Sequence, residues 1–307
     1  MSFDPPARGA AVAARAAVGG RARAARASVD LCDRRTVRAV ARRAGIVPSR
    51  RLGQHFLVDR SVLERITDAL ELSPEDEVFE VGPGMGTLTR ELALRAHRVV
   101  AVDLDQCCLR AAASTLRGFD NVELVRGDAL RTPPDSLGLA EGWVAAGNIP
   151  YSMTTPLLER LFSSSVLPSR GVFLVQREVG ERLAAEPGGW SLATLVVRSL
   201  ASVERLGDVP PSSFEPPPAV HSTVVRLRPR QTLEPEDRDA VLALARSTFQ
   251  MRRKQLRHGL THALAGDAHL SEQARSDAGI AAERRPETLD LDEWQALAAA
   301  VRRARRA

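Results

Sequence analysis

The sequence predicts an α/β protein, in which a mostly parallel β-sheet is followed by a small C-terminal helical domain. Between residues 77 and 176, short apolar segments alternate with helical stretches, which is typical of parallel strands joined by crossover helices. Beyond residue 230 the apolar spacing is helical only. A chain of 307 residues, 44% of them hydrophobic, is long enough for two such domains, which we place at residues 29–230 and 231–307.

Each element follows from a local pattern. Apolar residues three and four positions apart predict helices over 33–46 and 59–70, ahead of the sheet. The predicted parallel strands are 77–81, 98–102, 122–125, 142–147 and 171–176, with helices such as 86–96 and 105–116 between them. A Pro-rich segment, 209–218, leads into one antiparallel strand at Ser222–Leu227. Helices over 235–262 and 271–305 complete the pattern.

The first 28 residues differ in composition from the rest of the chain. They are rich in Ala, Arg and Gly, and Asp4 is their one acidic residue. A disordered basic arm, an organellar transit peptide and a start codon set too far upstream all fit this composition. Transit peptides are usually rich in Ser, and residues 1–28 are not, so we favour the arm or the misplaced start.

Charge and cysteine content narrow the class of protein. A net charge of +5 indicates a polyanionic partner, either nucleic acid or a membrane surface. No stretch of the sequence is apolar enough to span a membrane. Three cysteines, two of them adjacent, cannot form a disulfide framework. We therefore expect a cytoplasmic protein.

A glycine-rich loop follows the first predicted sheet strand. Glu80 and Val81 lead into Gly82–Gly86, and a helix is predicted to begin at Thr87. Glycines let the backbone turn sharply and lie flat against a ligand, with the N–H groups of the helix facing it. The next strand ends in Asp103, whose carboxylate would meet the diol of a ribose.

The loop reads Glu-x-Gly-x-Gly-x-Gly, not the Gly-x-Gly-x-x-Gly of dinucleotide-binding folds. It resembles the first motif of the Rossmann-like, class I methyltransferases that use S-adenosylmethionine. Asp128 follows a later strand, and in that class an acidic residue here hydrogen-bonds the adenine amino group of the cofactor. Asp128 alone would equally fit a turn or a helix cap, but together with the other two motifs it indicates S-adenosylmethionine.

The strand at 142–147 ends in Asn148-Ile149-Pro150-Tyr151. An adenine N6 amine is a poor nucleophile, because its lone pair is delocalised into the ring. An amide oxygen and a backbone carbonyl that accept its two hydrogens would draw the nitrogen towards tetrahedral geometry, while an aromatic ring stacks on the extruded base. Proline, with its fixed φ, keeps that carbonyl aimed. Taken alone, the segment would also fit an Asn-Pro turn packed by a core tyrosine.

Four ordered motifs resemble those of the ribosomal RNA adenine dimethyltransferases. They are Arg51 to Leu57, Asn148 to Leu158, Phe214 to Ser222, and Phe249 to Arg257, and the similarity runs from about Val37 to Leu260. Two residues depart from the family pattern: His55 replaces the usual Asn, and Asp103 replaces the commoner Glu. The resemblance implies the same fold, S-adenosylmethionine as cofactor and ribosomal RNA as partner.

The resemblance also implies a role for each matching residue. The cofactor would be bound by His55, Leu57, Gly82, Gly84, Asp103, Asp128 and Asn148, with Asp103 on the ribose and Asp128 on the adenine. The target amine would be oriented by Asn148 and the Ile149 carbonyl, next to Pro150. The target base would lie between Tyr151 and Phe214.

A basic segment follows, with no acidic residue between Arg246 and Ala265. Arg252, Arg253, Lys254 and Arg257 are predicted to lie on one helix and to bind RNA phosphates, although a solvated charged face is the other interpretation. His258 and His262 have the spacing of a zinc pair, but the residues between them lack the Glu of a metalloprotease motif. We predict no metal site.

These features predict an enzyme that dimethylates N6 of two adjacent adenines in the 3′-terminal hairpin of small-subunit (16S) ribosomal RNA. The nearest alternative is the sister group that methylates one large-subunit (23S) adenine and confers macrolide resistance. An alternative of another class is a non-catalytic factor that acts in ribosome assembly or binds nucleic acid. We expect the protein to be a monomer that binds the small ribosomal subunit.

Overall fold

The computed structural model describes residues 29–49, 53–150, 153–230 and 233–306. Its helices are α1 (Arg34–Ala44), α2 (Arg60–Ala69), α3 (Thr87–Arg95), α4 (Gln106–Thr115), α5 (Thr154–Phe162), α6 (Arg177–Leu183), α7 (Leu192–Arg198), α8 (Pro235–Thr248), α9 (Leu256–Ala263), α10 (Ala268–Asp277) and α11 (Leu291–Ala304). Its strands are β1 (Phe56–Leu57), β2 (Glu77–Val81), β3 (Arg98–Asp103), β4 (Val122–Arg126), β5 (Val144–Asn148), β6 (Arg170–Gln176), β7 (Ala201–Val209), β8 (Phe214–Glu215) and β9 (Ser222–Pro229).

The main sheet has seven strands in the order β4-β3-β2-β5-β6-β9-β7. Strands β2 to β6 are parallel, whereas β9 runs antiparallel to both of its neighbours. The five predicted parallel strands and the antiparallel strand are thus confirmed. In such a sheet the carboxyl ends of β2, β3, β4 and β5 meet at one edge, where ligands bind in open α/β sheets.

Two apolar layers cover the faces of the sheet, because neighbouring residues of a strand point to opposite faces. Phe79, Val100 and Ala145 pack in one layer. Their neighbours Val78, Val99 and Val144 pack in the other. The strands are therefore apolar along most of their length, which is why the sequence pattern revealed them.

The sequence pattern missed β7 and the small pair formed by β1 and β8. Strand β7 lies at the end of the sheet, and the neighbouring residues Glu204 and Arg205 are both exposed, so it lacks a continuous apolar run. A register irregularity between Arg205 and Gly207 interrupts the alternation further. Strands β1 and β8 have two residues each, too few for any periodic signal.

The two long C-terminal helices predicted over 235–262 and 271–305 are wrong as continuous elements. The first is divided into α8 and α9 by a 3-10 turn at Phe249–Met251 and by Gln255 in extended conformation. The second is divided into α10 and α11 by a connection in which Gly279 has a φ of 68°. Helices α8 to α11 share one apolar core around the fully buried Trp294.

Residues before position 231 also contribute to that helical core. Trp190, Leu195 and Val196, the last two on α7, pack with Trp294. The boundary near residue 230 stays a prediction, and the segment 1–28 lies outside the described residues. Among the helices that the structure describes, none is long and apolar enough to cross a membrane.

Candidate active site

A pocket opens at the edge of the sheet where β2, β3, β4 and β5 end. Its walls include every residue predicted to bind the cofactor: His55, Leu57, Gly82, Gly84, Asp103, Asp128 and Asn148. Pro150 also lines the pocket. Residues separated by up to 95 positions in the sequence are thus brought together in one cavity.

The glycine loop forms the floor of the pocket. Gly82 has a φ of 70° and Gly84 a φ of 57°, a left-handed conformation that side chains disfavour. A Cβ atom built on Gly84 would lie 3.1 Å from the ring of Phe56. The Gly82 N–H donates to the carbonyl of Val102 at 2.9 Å, which joins the loop to the end of β3. The loop is therefore held open as a flat backbone surface.

Asp103 lies at the carboxyl end of β3 and lines the pocket. One of its carboxylate oxygens accepts the Asp105 N–H at 2.8 Å. Burial raises the pKa of Asp103 above its usual range, against the opposing effect of backbone N–H groups at Asp105 and Gly84. A buried carboxylate of this kind is stabilised by a ligand that donates hydrogen bonds to it.

Glu80, in the strand before the glycine loop, is a second buried acid in the pocket wall. Its side chain is 1% exposed, and its Oε2 has no hydrogen-bond partner among the described residues. Loss of hydration raises the pKa of Glu80 to about 8; Thr89 lowers it and the charge of Asp103 adds to the rise. The sequence shows Glu80 as part of the glycine-loop motif but does not indicate a function for it.

The raised pKa of Glu80 predicts a specific pH dependence of stability. The folded protein retains this proton up to about pH 8, whereas the unfolded chain loses it near the ordinary value of 4.5. The contribution of Glu80 to the free energy of unfolding therefore decreases as pH rises from about 4.5 to about 8. Glu80→Gln cannot titrate, so the Tm of the wild type should fall by a few degrees relative to that of the variant between pH 5 and pH 9. Parallel Tm curves for the two proteins, measured without cofactor, would contradict this assignment.

Asn148 ends β5 with its side chain held in one orientation. Its Nδ2 group donates to the backbone carbonyl of His55 at 2.9 Å. An amide has one donor end and one acceptor end, so this bond leaves Oδ1 as the end that can accept a hydrogen from a ligand. The arrangement supports the predicted role of Asn148, because an acceptor is what the target amine requires.

The neighbouring residues of the motif are placed in different ways. The N–H of Ile149 donates to the carbonyl of Leu174 at 3.0 Å, and its side chain is 1% exposed, so the backbone at this point is rigid. The carbonyl of Pro150 accepts the N–H of Met153. Tyr151 lies outside the described residues, and its stacking role stays a prediction.

Phe214 differs from what its predicted role requires. Strand β8 pairs with β1 and places Phe214 opposite Leu57, a residue of the pocket wall. Its ring, however, is fully buried in the core between the sheet and α2 and does not line the pocket. The predicted stacking of Phe214 on the target base stays a prediction.

The prediction that the basic segment near the C-terminus lies on one helix is wrong. Arg252, Arg253 and Lys254 lie in the turn between α8 and α9, and Arg257 lies in the first turn of α9. All four side chains are exposed, and none forms an ion pair with a residue that the structure describes. Arg246, near the end of α8, pairs instead with Glu159 of α5. These four exposed cations lie at the connection between α8 and α9 and at the start of α9, and we call this segment the basic loop Arg252–Arg257.

His258 and His262 each contact another side chain. His258 accepts a hydrogen bond from Arg257, and His262 lies 3.1 Å from Oε1 of Gln250. Within the described ranges, no three His, Cys, Asp or Glu side chains are grouped in a way that could hold a metal ion.

Gln54 and Cys108 also line the pocket, although the sequence indicated no function for either. Gln54 belongs to a motif that was recognised, but its role, a hydrogen bond from Nε2 to Asp105 at 2.7 Å, depends on the fold. Cys108 is buried in α4, and desolvation raises the pKa of its thiol well above the usual range. No sequence signal separates this cysteine from an ordinary core residue.

The donor and acceptor groups of the pocket fit S-adenosylmethionine. Asp103 and Asp128 offer carboxyl oxygens as acceptors, and the orphaned Oε2 of Glu80 is a buried polar atom that needs a hydrogen-bond partner. S-adenosylmethionine carries a sulfonium, an ammonium, two ribose hydroxyls and an adenine amine, all of which complement acidic acceptors. The flat backbone at Gly82 and Gly84 leaves room for the methionine part.

Comparison with known proteins agrees with this chemistry. The family model described as ribosomal RNA adenine dimethylase matches residues 48–299. The chain is 38% identical over 272 residues to the ribosomal RNA small subunit methyltransferase A of Moorella thermoacetica. The aligned region covers 84% of this chain and 94% of that protein.

Two solved structures share the fold. A dimethyladenosine transferase from Plasmodium falciparum is 27% identical, with a TM-score of 0.66, over 78% of this chain and 95% of that one. The 23S rRNA methyltransferase ErmE is 26% identical, with a TM-score of 0.63, over 80% of this chain and 99% of that one. The architecture is thus that of the class I S-adenosylmethionine-dependent methyltransferases, with C-terminal helices. The chain belongs to the ribosomal RNA adenine dimethylase family.

Proposed function

We propose that this rRNA adenine dimethyltransferase modifies N6 of two adjacent adenines in the 3′-terminal hairpin of small-subunit ribosomal RNA. The observation that supports this reaction most directly is the fixed amide of Asn148, whose Oδ1 is left to accept a hydrogen from an amine. The name of the Moorella relative supports the choice of the small subunit.

The chemistry of the site follows from two hydrogen-bond acceptors, Asn148 Oδ1 and the Ile149 carbonyl, on a rigid backbone. When bound, S-adenosylmethionine supplies a methyl group on a sulfonium, which is a good leaving group. Asn148 Oδ1 and the carbonyl of Ile149 would accept the two hydrogens of the target amine and direct its lone pair towards that methyl group. Catalysis then comes from positioning, and the amine loses its proton after transfer, so no general base is required.

The experiment that tests this function locates the methylated nucleotides. Labelled S-adenosylmethionine is supplied with small subunits that lack the modification and, separately, with protein-free large-subunit RNA, and primer extension maps the products. We expect label in both adenines of the small-subunit hairpin. Label confined to large-subunit RNA would make the protein a resistance enzyme. Cofactor binding without label in either RNA would favour a binding factor.

We propose that the basic loop Arg252–Arg257, whose four cations are exposed, binds RNA phosphates. Replacing Arg253 and Lys254 together with alanine should raise the KM for RNA by about tenfold or more at moderate salt. The slope of log KM against log salt should become shallower, while the affinity for S-adenosylmethionine stays the same. Arg117→Ala, which removes an exposed cation outside this loop, serves as the control. Equal KM values for the loop variant and the control would contradict the proposal.

The proposed substrate also implies a location and an assembly state. Ribosomal subunits assemble in the cytoplasm, so we propose that the enzyme acts there and as a monomer. Light scattering at micromolar concentration would test the second statement, with a mass of 33.2 kDa expected.

A further inference from the structure

Helix α1 is attached to the edge of the active site by two arginines that share one carboxylate. Arg34 and Arg38 are one turn apart on α1, and both contact Glu215 of β8. Arg38 binds it in a bidentate manner, with Nε 2.9 Å from Oε1 and Nη2 3.0 Å from Oε2. Nη1 of Arg34 lies 3.0 Å from Oε2, and it also donates to the carbonyl of Phe214 at 2.8 Å.

The geometry of Glu215 indicates more than a surface ion pair. Its side chain is 13% exposed, far less than that of Arg38 at 61%. Hydrogen bonds from Arg38, assisted by Arg34, hold the pKa of Glu215 below its usual range, so it stays ionised at neutral pH. A half-buried carboxylate with a bidentate arginine has a fixed direction, unlike most exposed pairs.

Further contacts link Glu215 to Asn148 in the pocket wall. Glu215 lies opposite Phe56 in the β1–β8 pair, and the carbonyl of Pro216, the next residue, lies 2.8 Å from Nδ1 of His55. A carbonyl can only accept, so Nδ1 carries the hydrogen. The carbonyl of His55 in turn accepts the hydrogen bond from Asn148. Contacts therefore run without a gap from α1 through Glu215 and His55 to Asn148.

We propose that Arg34, Arg38 and Glu215 are positioning residues that hold the amide of Asn148 in its reactive orientation. If β8 shifted, His55 would move with Pro216, and the carbonyl that fixes Asn148 would be displaced. A displacement of this size at a positioned amide lowers the rate of transfer without removing a binding contact. The inference rests on the proposed role of Asn148 in methyl transfer.

The test compares kcat, the KM for RNA and the Kd for S-adenosylmethionine in Glu215→Gln, in Arg38→Met and in the double variant. We expect kcat to fall about tenfold in each single variant, which corresponds to about 1.4 kcal/mol in the barrier, while KM and Kd change less than about threefold. The double variant should be no slower than the single ones, because both changes break the same connection.

A matched control separates positioning from general loss of an ion pair. Glu204 lies on β7, at the far end of the sheet, and its carboxylate is 2.7 Å from Nη2 of Arg226 on β9. Glu204→Gln removes this ion pair. It should leave kcat unchanged. Glu215→Gln keeps the size of the side chain, and Tm measurements on all four proteins would show whether the fold is intact.

Three outcomes would overturn the inference. The first is a kcat for Glu215→Gln equal to that of the wild type, and the second is an equal loss of kcat in Glu204→Gln. The third is a rise in the KM for RNA in Arg38→Met alone, which would make Arg38 an RNA contact. Failure of the wild type to label small subunits is a different result, since it contradicts the proposed substrate. The same comparison would then be made on whichever ribosomal RNA the wild type methylates.

Discussion

Replacing Asn148 with alanine is expected to lower kcat for methyl transfer by at least about 100-fold, because the amide acts when the amine begins to bond to the methyl group. Loss of one ground-state contact should weaken S-adenosylmethionine binding by no more than about tenfold. Single-turnover transfer and cofactor titration measure the two effects separately. A rate within threefold of the wild type would remove Asn148 from the reaction.

Asn148→Asp provides the matched comparison. Aspartate keeps an oxygen acceptor for the target amine, but it cannot donate to the carbonyl of His55 that Asn148 Nδ2 contacts at 2.9 Å. Two oxygens facing each other repel, so the side chain would turn away. We expect a rate between those of the wild type and Asn148→Ala. If the aspartate variant were as fast as the wild type, the bond to His55 would have no role in orienting the amide.

The second large effect is expected at Asp103, where alanine should weaken S-adenosylmethionine binding by about 100-fold. A charged carboxylate that accepts two ribose hydroxyls contributes about 1.5–3 kcal/mol for each hydrogen bond, part of which water recovers. Calorimetric titration measures the loss directly. The transfer rate at saturating cofactor should change much less, since Asp103 lies away from the reacting amine in the proposed arrangement.

Asp103→Asn is the control for shape. It keeps one acceptor oxygen and nearly the same volume, but it removes the charge whose burial raises the pKa of Asp103. We expect an affinity between those of the wild type and Asp103→Ala. Equal affinities for all three proteins would show that the ribose is bound elsewhere.

The fold could be predicted from the sequence wherever burial is uniform. Strands β2, β3, β5 and β6 are apolar on both faces, so a continuous apolar run identifies each of them whichever residues face each side. Strand β7 was missed because it carries exposed charged residues, as the pair of Glu204 with Arg226 illustrates. The sequence also predicted a continuous helix across the turn at Arg252, because Arg and Lys are good helix formers and no Gly or Pro marks the turn.

The residues of the site likewise fall into those that the sequence could predict and those that it could not. Residues that act through their position at the end of a strand, such as Asp103 and Asn148, could be predicted, because strand ends follow from the pattern of the sheet. Residues that act through contacts distant in sequence could not. Nothing in the sequence near Glu215 indicates that Arg38, 177 positions away, binds it. The buried ring of Phe214 shows a further limit, since a motif predicts where a residue lies but not where its side chain points.

Helix α7 packs in two apolar clusters at once, one against the sheet and one in the helical core. Its Val197 packs in the layer against the sheet, whereas Leu195 and Val196, two residues and one residue earlier, pack in the core around Trp294. A chain shortened after residue 230 would expose Trp190, Leu195 and Val196 to water, so we expect it to aggregate. Because α7 contributes side chains to both apolar clusters, we expect hydrogen exchange to slow together in the helical core and in the adjoining layer of the sheet, as in one cooperative unit.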